Sequence, residues 1–433
     1  MRLEFHLSPR SSNAPAGAAA DASSTREIIA RHDRYMSINY GRFPIAMVRG
    51  EGATLWDAEG KAYIDLFAGF GGPLLGHCHP ELVDAVTEQA RKLWFVGNLL
   101  HTEPQTRLAE RIASTGFDGR SFFCHAGADA NEAAIKLARL HGRARPGEKG
   151  PRYKVISTLR SFHGRTFGAM AATGQERVWQ GFEPTLPGFV HVPYGDVDAV
   201  AAAIDDETAA VLAEPIQGES GVIVPPDDYW PGLRALCDRH ELLLIADEVW
   251  TGCGRTGRWF GHQHWNIEPD ILTLAKGVGG GLAVGVMCAR PAVAELFDYR
   301  KHGAVAHATT LGGNAIAMAA AARLFEVIER DRLVDRAAAL GAKVMQRLRG
   351  FAASHPAVRE VRGKGLFIGI ELDLAAVGGG FENGRQIVER CLDRGVVINA
   401  AGTDVLRLAP PLVIDEAELD RGLEVVESVI AGA

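Results

Sequence analysis

Lys276 stands where a lysine could act as a nucleophile. It follows the apolar run ILTLA at residues 271–275, and four of the next five residues are glycine. A lysine in apolar surroundings loses its proton more easily than one in water, and its neutral amine can then form a Schiff base with a carbonyl compound. A lone lysine at a strand end more often extends its charged group into solvent, so this interpretation needs partners elsewhere in the sequence.

Asp247 is the first such partner. It ends the apolar run LLLIA at 242–246 and is followed by Glu248. Successive strand residues face opposite sides, so the two acids do not share a site. A buried carboxylate is costly without a positive group. A protonated pyridine nitrogen would be such a group, because a nearby carboxylate keeps that ring protonated as an electron sink. The alternative for Asp247 is a capping carboxylate bonded to backbone amides.

The segment HAGADANEAA at 125–134 supplies a third element. Ala126, Gly127 and Ala128 form a small-residue turn that opens a helix, and the N–H groups and dipole of a helix N-terminus attract anions such as phosphate. The glycines at 277–281 do not complete GxGxxG, and no GxxxxGK[ST] occurs, so neither NAD nor ATP is suggested. Phosphate, pyridinium and Schiff base together describe pyridoxal phosphate.

The elements that must position these residues follow from the apolar pattern. From about residue 105, short apolar runs alternate with helical segments, which predicts a mostly parallel sheet with helices on both faces. Ligands bind such sheets beyond the carboxyl ends of the strands, which is where Glu214, Asp247 and Lys276 stand. Near 313–350 the pattern becomes one continuous helix, and a smaller α+β region follows.

This pattern divides the 433 residues into four parts. The first part consists of small and polar residues and is rich in Pro and Ala, which predicts a flexible tail. The four predicted parts are the N-terminal tail (1–25), an N-terminal segment that joins the small domain (26–75), the large α/β domain (76–325) and the small C-terminal α+β domain (326–433).

Composition and charge exclude several classes of function. A net charge of −7 and a pI near 6.1 give no electrostatic footprint for nucleic acid or an anionic membrane. No apolar run approaches the roughly 18 residues of a membrane span. Six cysteines lie far apart without CxxC spacing, which favours reduced thiols and a cytoplasmic protein. The His/Cys clusters at 77–79 and 262–264 lack a second cluster at zinc-like spacing, so no metal site is predicted.

Six motifs carry a resemblance to a known family. In chain order they are SFHGRT, AEPIQGE, LIADEVWTGCGRTG, TLAKGVGGG, TTLGGN and LRLAPPLVI. From about residue 35 to its end, the chain resembles a class III (fold type I) pyridoxal-phosphate aminotransferase. GHCHP and NLLHTEPQ add a likeness to the acetylornithine/ornithine branch. The resemblance implies an α/β fold with a large, mostly parallel sheet domain and a smaller α+β domain.

The resemblance also implies roles around the cofactor ring. Lys276 would form the Schiff base with the cofactor and later move a proton between the substrate carbon and the cofactor. Asp247 would pair with the pyridine nitrogen, while Glu248, which faces the other way, would be structural. Val249 and Phe162 would pack on the two faces of the ring, although Phe162 could also be a plain core aromatic.

The phosphate site implied by the family is shared between two chains. Gly127 and Ala128 would hold the phosphate through backbone N–H groups. Thr310 of TTLGGN would reach the same phosphate from the neighbouring subunit. A site completed in this way implies an obligate homodimer, which nothing in the composition itself indicates.

Four residues match the family's substrate contacts. Arg407 resembles the arginine that binds the α-carboxylate, and a planar guanidinium suits bidentate binding. Arg165 resembles the arginine that binds the other carboxylate of glutamate. Glu219 resembles the acid that pairs with the first arginine in one half-reaction and moves away in the other, and Tyr40 resembles a tyrosine near the substrate carboxylate. Taken singly, each arginine is more often a surface charge.

Three residues depart from the family pattern. Trp250 replaces a usual glutamine, which puts a contact to the phenolic oxygen of the cofactor in doubt. Ala126 replaces a usual Ser or Thr and removes one hydroxyl donor from the phosphate turn. Phe70 replaces the tyrosine of ornithine δ-aminotransferases, which argues against free ornithine as the substrate.

We therefore expect a cytoplasmic, homodimeric aminotransferase that moves the terminal amino group of N2-acetylornithine to 2-oxoglutarate by a ping-pong route. Alternative donors are ornithine, 4-aminobutyrate, acetyllysine and succinyldiaminopimelate, and decarboxylases and racemases share the scaffold. Arg165 together with Glu219 favours a transaminase linked to glutamate. A scaffold that binds the cofactor without turnover is disfavoured by the presence of both Lys276 and Asp247.

Overall fold

The computed structural model describes residues 23–432. The predicted tail therefore lies almost entirely outside the described residues, and Thr25 already begins the first helix. The described chain forms two compact units, one of residues 23–49 and 56–62 and one of residues 50–55 and 63–432. The predicted boundary between a large and a small domain near residue 325 stays a prediction.

The described residues form fifteen strands. They are β1 (Met47–Glu51), β2 (Thr54–Asp57), β3 (Ala62–Asp65), β4 (Arg120–Cys124), β5 (Lys154–Thr158), β6 (Phe189–Val192), β7 (Thr208–Ala213), β8 (Leu243–Asp247), β9 (Ile271–Leu274), β10 (Gly285–Ala289), β11 (Val358–Lys364), β12 (Phe367–Leu372), β13 (Val396–Val397), β14 (Asn399–Ala401) and β15 (Val405–Leu408).

The same residues form fifteen α-helices and three short 3-10 helices. The α-helices are α1 (Thr25–Tyr35), α2 (Ala68–Gly71), α3 (Pro80–Lys92), α4 (Glu103–Ser114), α5 (Gly127–Ala144), α6 (Phe167–Ala172), α7 (Glu176–Trp179), α8 (Val197–Ala203), α9 (Tyr229–His240), α10 (Pro291–Ala294), α11 (Tyr299–His302), α12 (Ala315–Arg330), α13 (Leu333–Ser354), α14 (Gly384–Asp393) and α15 (Glu416–Ile430).

The smaller unit contains α1, whose start follows from its sequence. Ser24 caps the helix by accepting from the backbone N–H of Glu27, and the Glu27 side chain accepts from Ser24 in return. Such a reciprocal pair satisfies two donors that a helix N-terminus leaves free. The carboxylate of Glu59 accepts from the backbone N–H of Thr25 at 2.8 Å and fastens the helix to its own unit.

The larger unit is built on a seven-stranded sheet in the order β4-β10-β9-β8-β7-β5-β6. Only β10 runs antiparallel to its neighbours in this sheet, so the predicted mostly parallel sheet is confirmed. Along β7, Ala210 and Leu212 pack with α5 while Val211 and Ala213 pack with α9. Helices therefore cover both faces, as continuous apolar strands require.

A second, antiparallel sheet has the order β11-β12-β15-β14. In the segment of chain between these two sheets, one prediction from the sequence was wrong. The segment predicted as continuous helix over 313–350 is two helices, α12 and α13. Arg332 separates them, because its left-handed backbone with φ of 52° does not continue a right-handed helix. Within residues 23–432, no helix is long and apolar enough to cross a bilayer.

Candidate active site

The carboxyl ends of the central strands bring the predicted site residues together. Asp247 is the last residue of β8 and lies opposite Thr273 of β9, and Lys276 follows β9 by two residues. The turn after β4 leads directly into α5. These ends enclose a cavity of about 370 Å³, and eight predicted residues line it: Gly127, Ala128, Phe162, Arg165, Glu219, Asp247, Val249 and Lys276.

Lys276 has an unusual backbone and an unusual environment. Its φ is 47°, in the left-handed region that side-chain-bearing residues seldom adopt and that often marks functional sites. A Cβ on the next residue, Gly277, would come within 2.6 Å of the Leu74 side chain, so a larger residue there would displace that side chain. Burial lowers the pKa of the Lys276 amine, while nearby acids such as Glu219 and Asp247 oppose that shift. The lysine is thereby held at the cavity with a tendency toward the neutral amine.

Asp247 is fixed by a polar network and is only 3% exposed. Its Oδ2 accepts from Nδ2 of Asn131 at 2.8 Å and from Nδ1 of His163 at 2.7 Å, and its Oδ1 accepts from the backbone N–H of Val249 at 3.0 Å. Thr273 in turn donates to Oδ1 of Asn131 at 2.8 Å. The carboxylate is therefore held in one orientation at the cavity wall.

Asn131 and His163 also line the cavity and bond to Asp247, and neither was predicted from the sequence. His163 adjoins Phe162 in SFHGRT, and its side chain is fully buried against Asp247. Asn131 lies four residues after Gly127, on the buried face of α5. A polar residue on an otherwise apolar, Ala-rich helix face was the signal available for Asn131, because a buried amide needs a partner.

The start of α5 forms a small-residue cradle at the cavity. Ala126 caps the helix without a side-chain hydrogen bond, so the first N–H groups of this 18-residue helix have no partner within the helix. A Cβ on Gly127 would lie 2.8 Å from Val249, and one on Gly164 would lie 2.6 Å from Ala128. Close approach of the backbone thus leaves room for an anion beside the N–H groups.

Two buried glutamates, Glu214 and Glu248, have pKa values shifted in opposite directions. Burial raises the pKa of Glu214 to about 7, with Asp247 adding to the shift and His163 opposing it. Burial also acts on Glu248, but bonds from His262 and Thr251 hold its pKa below the usual range. Glu248 accepts from Nδ1 of His262 at 2.9 Å, a contact that agrees with its predicted structural role, which stays a prediction.

We expect Glu214 and Glu248 to make the free energy of unfolding depend on pH in opposite directions. The raised pKa of Glu214 gives stability that is present below its unfolded value of 4.5 and is lost as the pH rises through about 7. Glu214→Gln should therefore reduce the loss of stability over that interval, as measured by the urea midpoint against pH. The control Glu248→Gln should instead remove a loss that occurs on acidification. Equal pH profiles for wild type and Glu214→Gln would contradict the assignment.

Arg407 and Glu219 form the polar side of the site. Arg407 lies on β15 and is 2% exposed. Its guanidinium donates to Oδ1 of Asn399 at 3.0 Å and to the carbonyl of Gly218 at 2.9 Å, and it contacts Oε2 of Glu219 at 3.4 Å. Arg165 is exposed at the cavity, with its guanidinium 5.7 Å from the ring centroid of Phe162.

Of the predicted site residues in the larger unit, Arg407 and Thr310 do not line this cavity. Tyr40 belongs to the smaller unit, where it is 66% exposed and the Arg42 guanidinium lies 5.3 Å from its ring. Thr310 is exposed and lines a different cavity of about 530 Å³, together with Phe95, Leu99 and Val305. Their predicted roles stay predictions.

The arrangement has a definite chemical capacity. The cavity offers an amine that tends to be neutral, a fixed carboxylate and an anion-binding helix terminus. Such a set can bind a planar, cationic, phosphorylated carbonyl compound, and Glu219, Arg165 and Arg407 can bind a charged substrate beside it.

Comparisons with known proteins agree with this capacity. The family description "Aminotransferase class-III" matches residues 35–430. Acetylornithine aminotransferase of Caldanaerobacter subterraneus subsp. tengcongensis is 42% identical over 93% of this chain and 99% of its own. Acetylornithine aminotransferase of Mycobacterium bovis is 45% identical over 93% and 95%.

Solved structures give the same result. The ornithine aminotransferase from Toxoplasma gondii has a TM-score of 0.88 and 31% identity, and the match covers 95% of each chain. An (S)-enantioselective omega-transaminase from Thermomicrobium roseum has a TM-score of 0.85 and 33% identity, over 95% of this chain and 99% of its own. The predicted fold and family are confirmed: the chain belongs to the class-III aminotransferases and is an aminotransferase.

Proposed function

We propose that this aminotransferase binds pyridoxal 5'-phosphate and moves the terminal amino group of N2-acetylornithine to 2-oxoglutarate. The observation that carries the proposal is the placement of Lys276 and Asp247 at one cavity that also receives the N-terminus of α5. The acetylornithine aminotransferases that are 42% and 45% identical over nearly the whole chain support the choice of donor.

The residues present fit this cofactor. The backbone N–H groups of Gly127 and Ala128 suit its phosphate. Gly127 has no Cβ to fill the space beside Val249, so an anion can approach these N–H groups. Asp247 suits a pyridine N–H, since two side chains and one backbone N–H fix the carboxylate. Phe162 and Val249 line the cavity as apolar surfaces for a flat ring. When bound, the cofactor supplies an electron sink for charge that develops at the substrate carbon.

The chain's own residues then carry the proton and the orientation. Lys276 would hold the cofactor through its amine, and once a substrate amine has displaced it, the free amine would move a proton from the substrate carbon to the cofactor. Its lowered pKa keeps this amine able to accept the proton. Asp247, held by its three donors, places a carboxylate at the opposite end of the site. Burial of these groups excludes water from the transfer.

Arg165, Arg407 and Glu219 bind substrates of different charge. While Glu219 pairs with Arg407, their charges cancel and that side accepts the uncharged methylene next to a terminal amine. When Glu219 moves away, Arg407 can bind the α-carboxylate of glutamate in a bidentate manner. The exposed Arg165 is then available for the second carboxylate of the dicarboxylate, or for the carboxylate of the amine donor.

We expect Arg165→Gln to raise the KM for 2-oxoglutarate about 100-fold with a smaller effect on kcat, because a charge-assisted carboxylate contact is lost. Steady-state kinetics with 2-oxoglutarate as the varied substrate would measure this. Arg332→Gln is the control, since that exposed arginine pairs with Asp335 at the start of α13. An unchanged KM in Arg165→Gln would contradict the proposed contact.

A panel of donors tests the reaction itself. N2-acetylornithine, ornithine, 4-aminobutyrate, acetyllysine and succinyldiaminopimelate would each be supplied with 2-oxoglutarate, and the glutamate formed would be measured. The proposal predicts the highest kcat/KM for N2-acetylornithine. A value for N2-acetylornithine far below those of the other donors would remove it as the substrate.

The proposal extends to a cytoplasmic homodimer in which Thr310 completes the phosphate site of the partner subunit. Large apolar side chains around the second cavity support this extension, because Leu99 is 99% and Val305 68% exposed and such surfaces mark contact sites. Sedimentation equilibrium of the purified protein should give twice the chain mass of 46.5 kDa. A mass equal to one chain would contradict the proposed homodimer.

A further inference from the structure

Trp250 lies against two basic side chains, Lys276 and Arg407. Its ring centroid is 4.0 Å from Nζ of Lys276 and 4.8 Å from Cζ of Arg407. The side chain is 6% exposed and lines the cavity. The face of an indole ring attracts a cation, and the attraction is stronger when the pair is desolvated.

The surroundings hold this ring in place. A Cβ on Gly71 would come within 2.8 Å of Nε1 of Trp250, and one on Gly218 would come within 2.4 Å of Cε3. The indole therefore occupies a slot that depends on two glycines. The ring centroid of Phe367 lies 5.1 Å from that of Trp250, so Phe367 forms a further side of this slot. A large ring kept so closely is a fixed wall of the pocket.

Two more rings approach the same guanidinium. The centroids of Phe67 and Phe70 are each 5.7 Å from Cζ of Arg407, and both rings contact Trp250 edge to face or at a tilt. Arg407 has one carboxylate partner among the described residues, Glu219 at 3.4 Å. Its other partners are neutral oxygens of Asn399 and Gly218.

When Glu219 moves away, Arg407 loses its carboxylate partner. A buried cation without a counter-ion is costly, and the aromatic faces are what remains to stabilise it until a substrate carboxylate arrives. We infer that Trp250 is a specificity-determining residue that supports the unpaired Arg407 and thereby favours dicarboxylate substrates. This inference rests on the proposed function, because it needs a half-reaction in which Glu219 releases Arg407.

The test compares two half-reactions of the holoenzyme. Rapid mixing with glutamate or with N2-acetylornithine would be followed by the absorbance of the cofactor. Trp250→Met keeps a side chain without a ring face, whereas Trp250→Phe keeps one. We expect the ratio of the glutamate rate constant to the N2-acetylornithine rate constant to fall about tenfold in Trp250→Met and to change less than about threefold in Trp250→Phe.

Binding of glutarate gives a second readout that does not depend on turnover. Calorimetry should show a Kd about tenfold higher for Trp250→Met than for wild type. Trp265→Met is the matched control, since Trp265 is also buried with a lysine over its ring, Lys364 at 5.4 Å, and it does not line the cavity. Phe70→Leu should shift the ratio in the same direction by a smaller factor, and it serves if Trp250→Met does not fold.

The outcomes separate this inference from the proposed function. A wild type that reacts with neither amine would overturn both. The role of Trp250 alone would be overturned by a different result. In that case the wild type reacts with both amines, while Trp250→Met slows both half-reactions equally and binds glutarate as tightly as the wild type. Equal behaviour of Trp250→Met and Trp250→Phe would show that volume and not the ring face matters, and would also overturn it.

Discussion

Lys276→Ala should lower kcat/KM for transamination by about 10⁴-fold or more, because one substitution removes both the nucleophile and the proton carrier. No other lysine among the residues that line the cavity can replace it. The loss should appear mainly in kcat. Steady-state assays with N2-acetylornithine and 2-oxoglutarate would measure it over a range of enzyme concentrations.

A surface lysine provides the matched control for this prediction. Lys343 lies on α13, is largely exposed and pairs with Glu416 at 2.8 Å. Lys343→Ala should leave kcat/KM within about threefold of wild type, because exposed ion pairs contribute little. Addition of a small primary amine should restore part of the activity of Lys276→Ala by supplying a proton carrier. Near-normal activity of Lys276→Ala without added amine would contradict the assignment.

Asp247→Asn should lower kcat by about 10³-fold with the fold retained. The amide can still accept hydrogen bonds from Asn131 or His163, but it carries no charge to stabilise a protonated ring nitrogen. Rates of the two half-reactions should fall together, since both use the same electron sink. Single-turnover absorbance measurements with each amine would detect this.

The control for Asp247→Asn is a buried aspartate at the opposite end of the same sheet. Asp270 immediately precedes β9 and pairs with Arg234 at 2.8 Å and Arg290 at 3.2 Å. Asp270→Asn should lower stability and leave the chemistry unaffected. If Asp270→Asn and Asp247→Asn slowed the half-reactions equally, loss of a buried charge would be the cause and the specific role of Asp247 would be wrong.

The parts of the site that follow from strand ends could be predicted from the sequence. Apolar strands that end in Asp247, or that lead within two residues to Lys276, place these residues at the same sheet edge because the strands run parallel. The start of α5 was equally predictable from its small residues. These features depend on local pattern and on one rule about parallel sheets.

Other features depend on contacts between segments that are far apart in the chain. Asn131 and His163 meet Asp247 across 116 and 84 residues, and no local pattern indicates such a meeting. The aromatic surroundings of Arg407 likewise combine residues near 70, 250 and 407. The break at Arg332 falls within four consecutive charged residues, 329–332, which would also suit an exposed helical turn, so the sequence pattern alone did not reveal the left-handed backbone that separates α12 from α13.

Chemical mapping of the cofactor attachment tests the central claim most directly. The purified protein would be incubated with pyridoxal 5'-phosphate, reduced with borohydride, digested and analysed by mass spectrometry. Lys276 and Asp247 are proposed to hold opposite ends of one ring, so the reduced cofactor should be found on the peptide that contains Lys276, in wild type and in Asp247→Asn alike. Attachment to a different lysine, or no attachment at any lysine, would contradict the account.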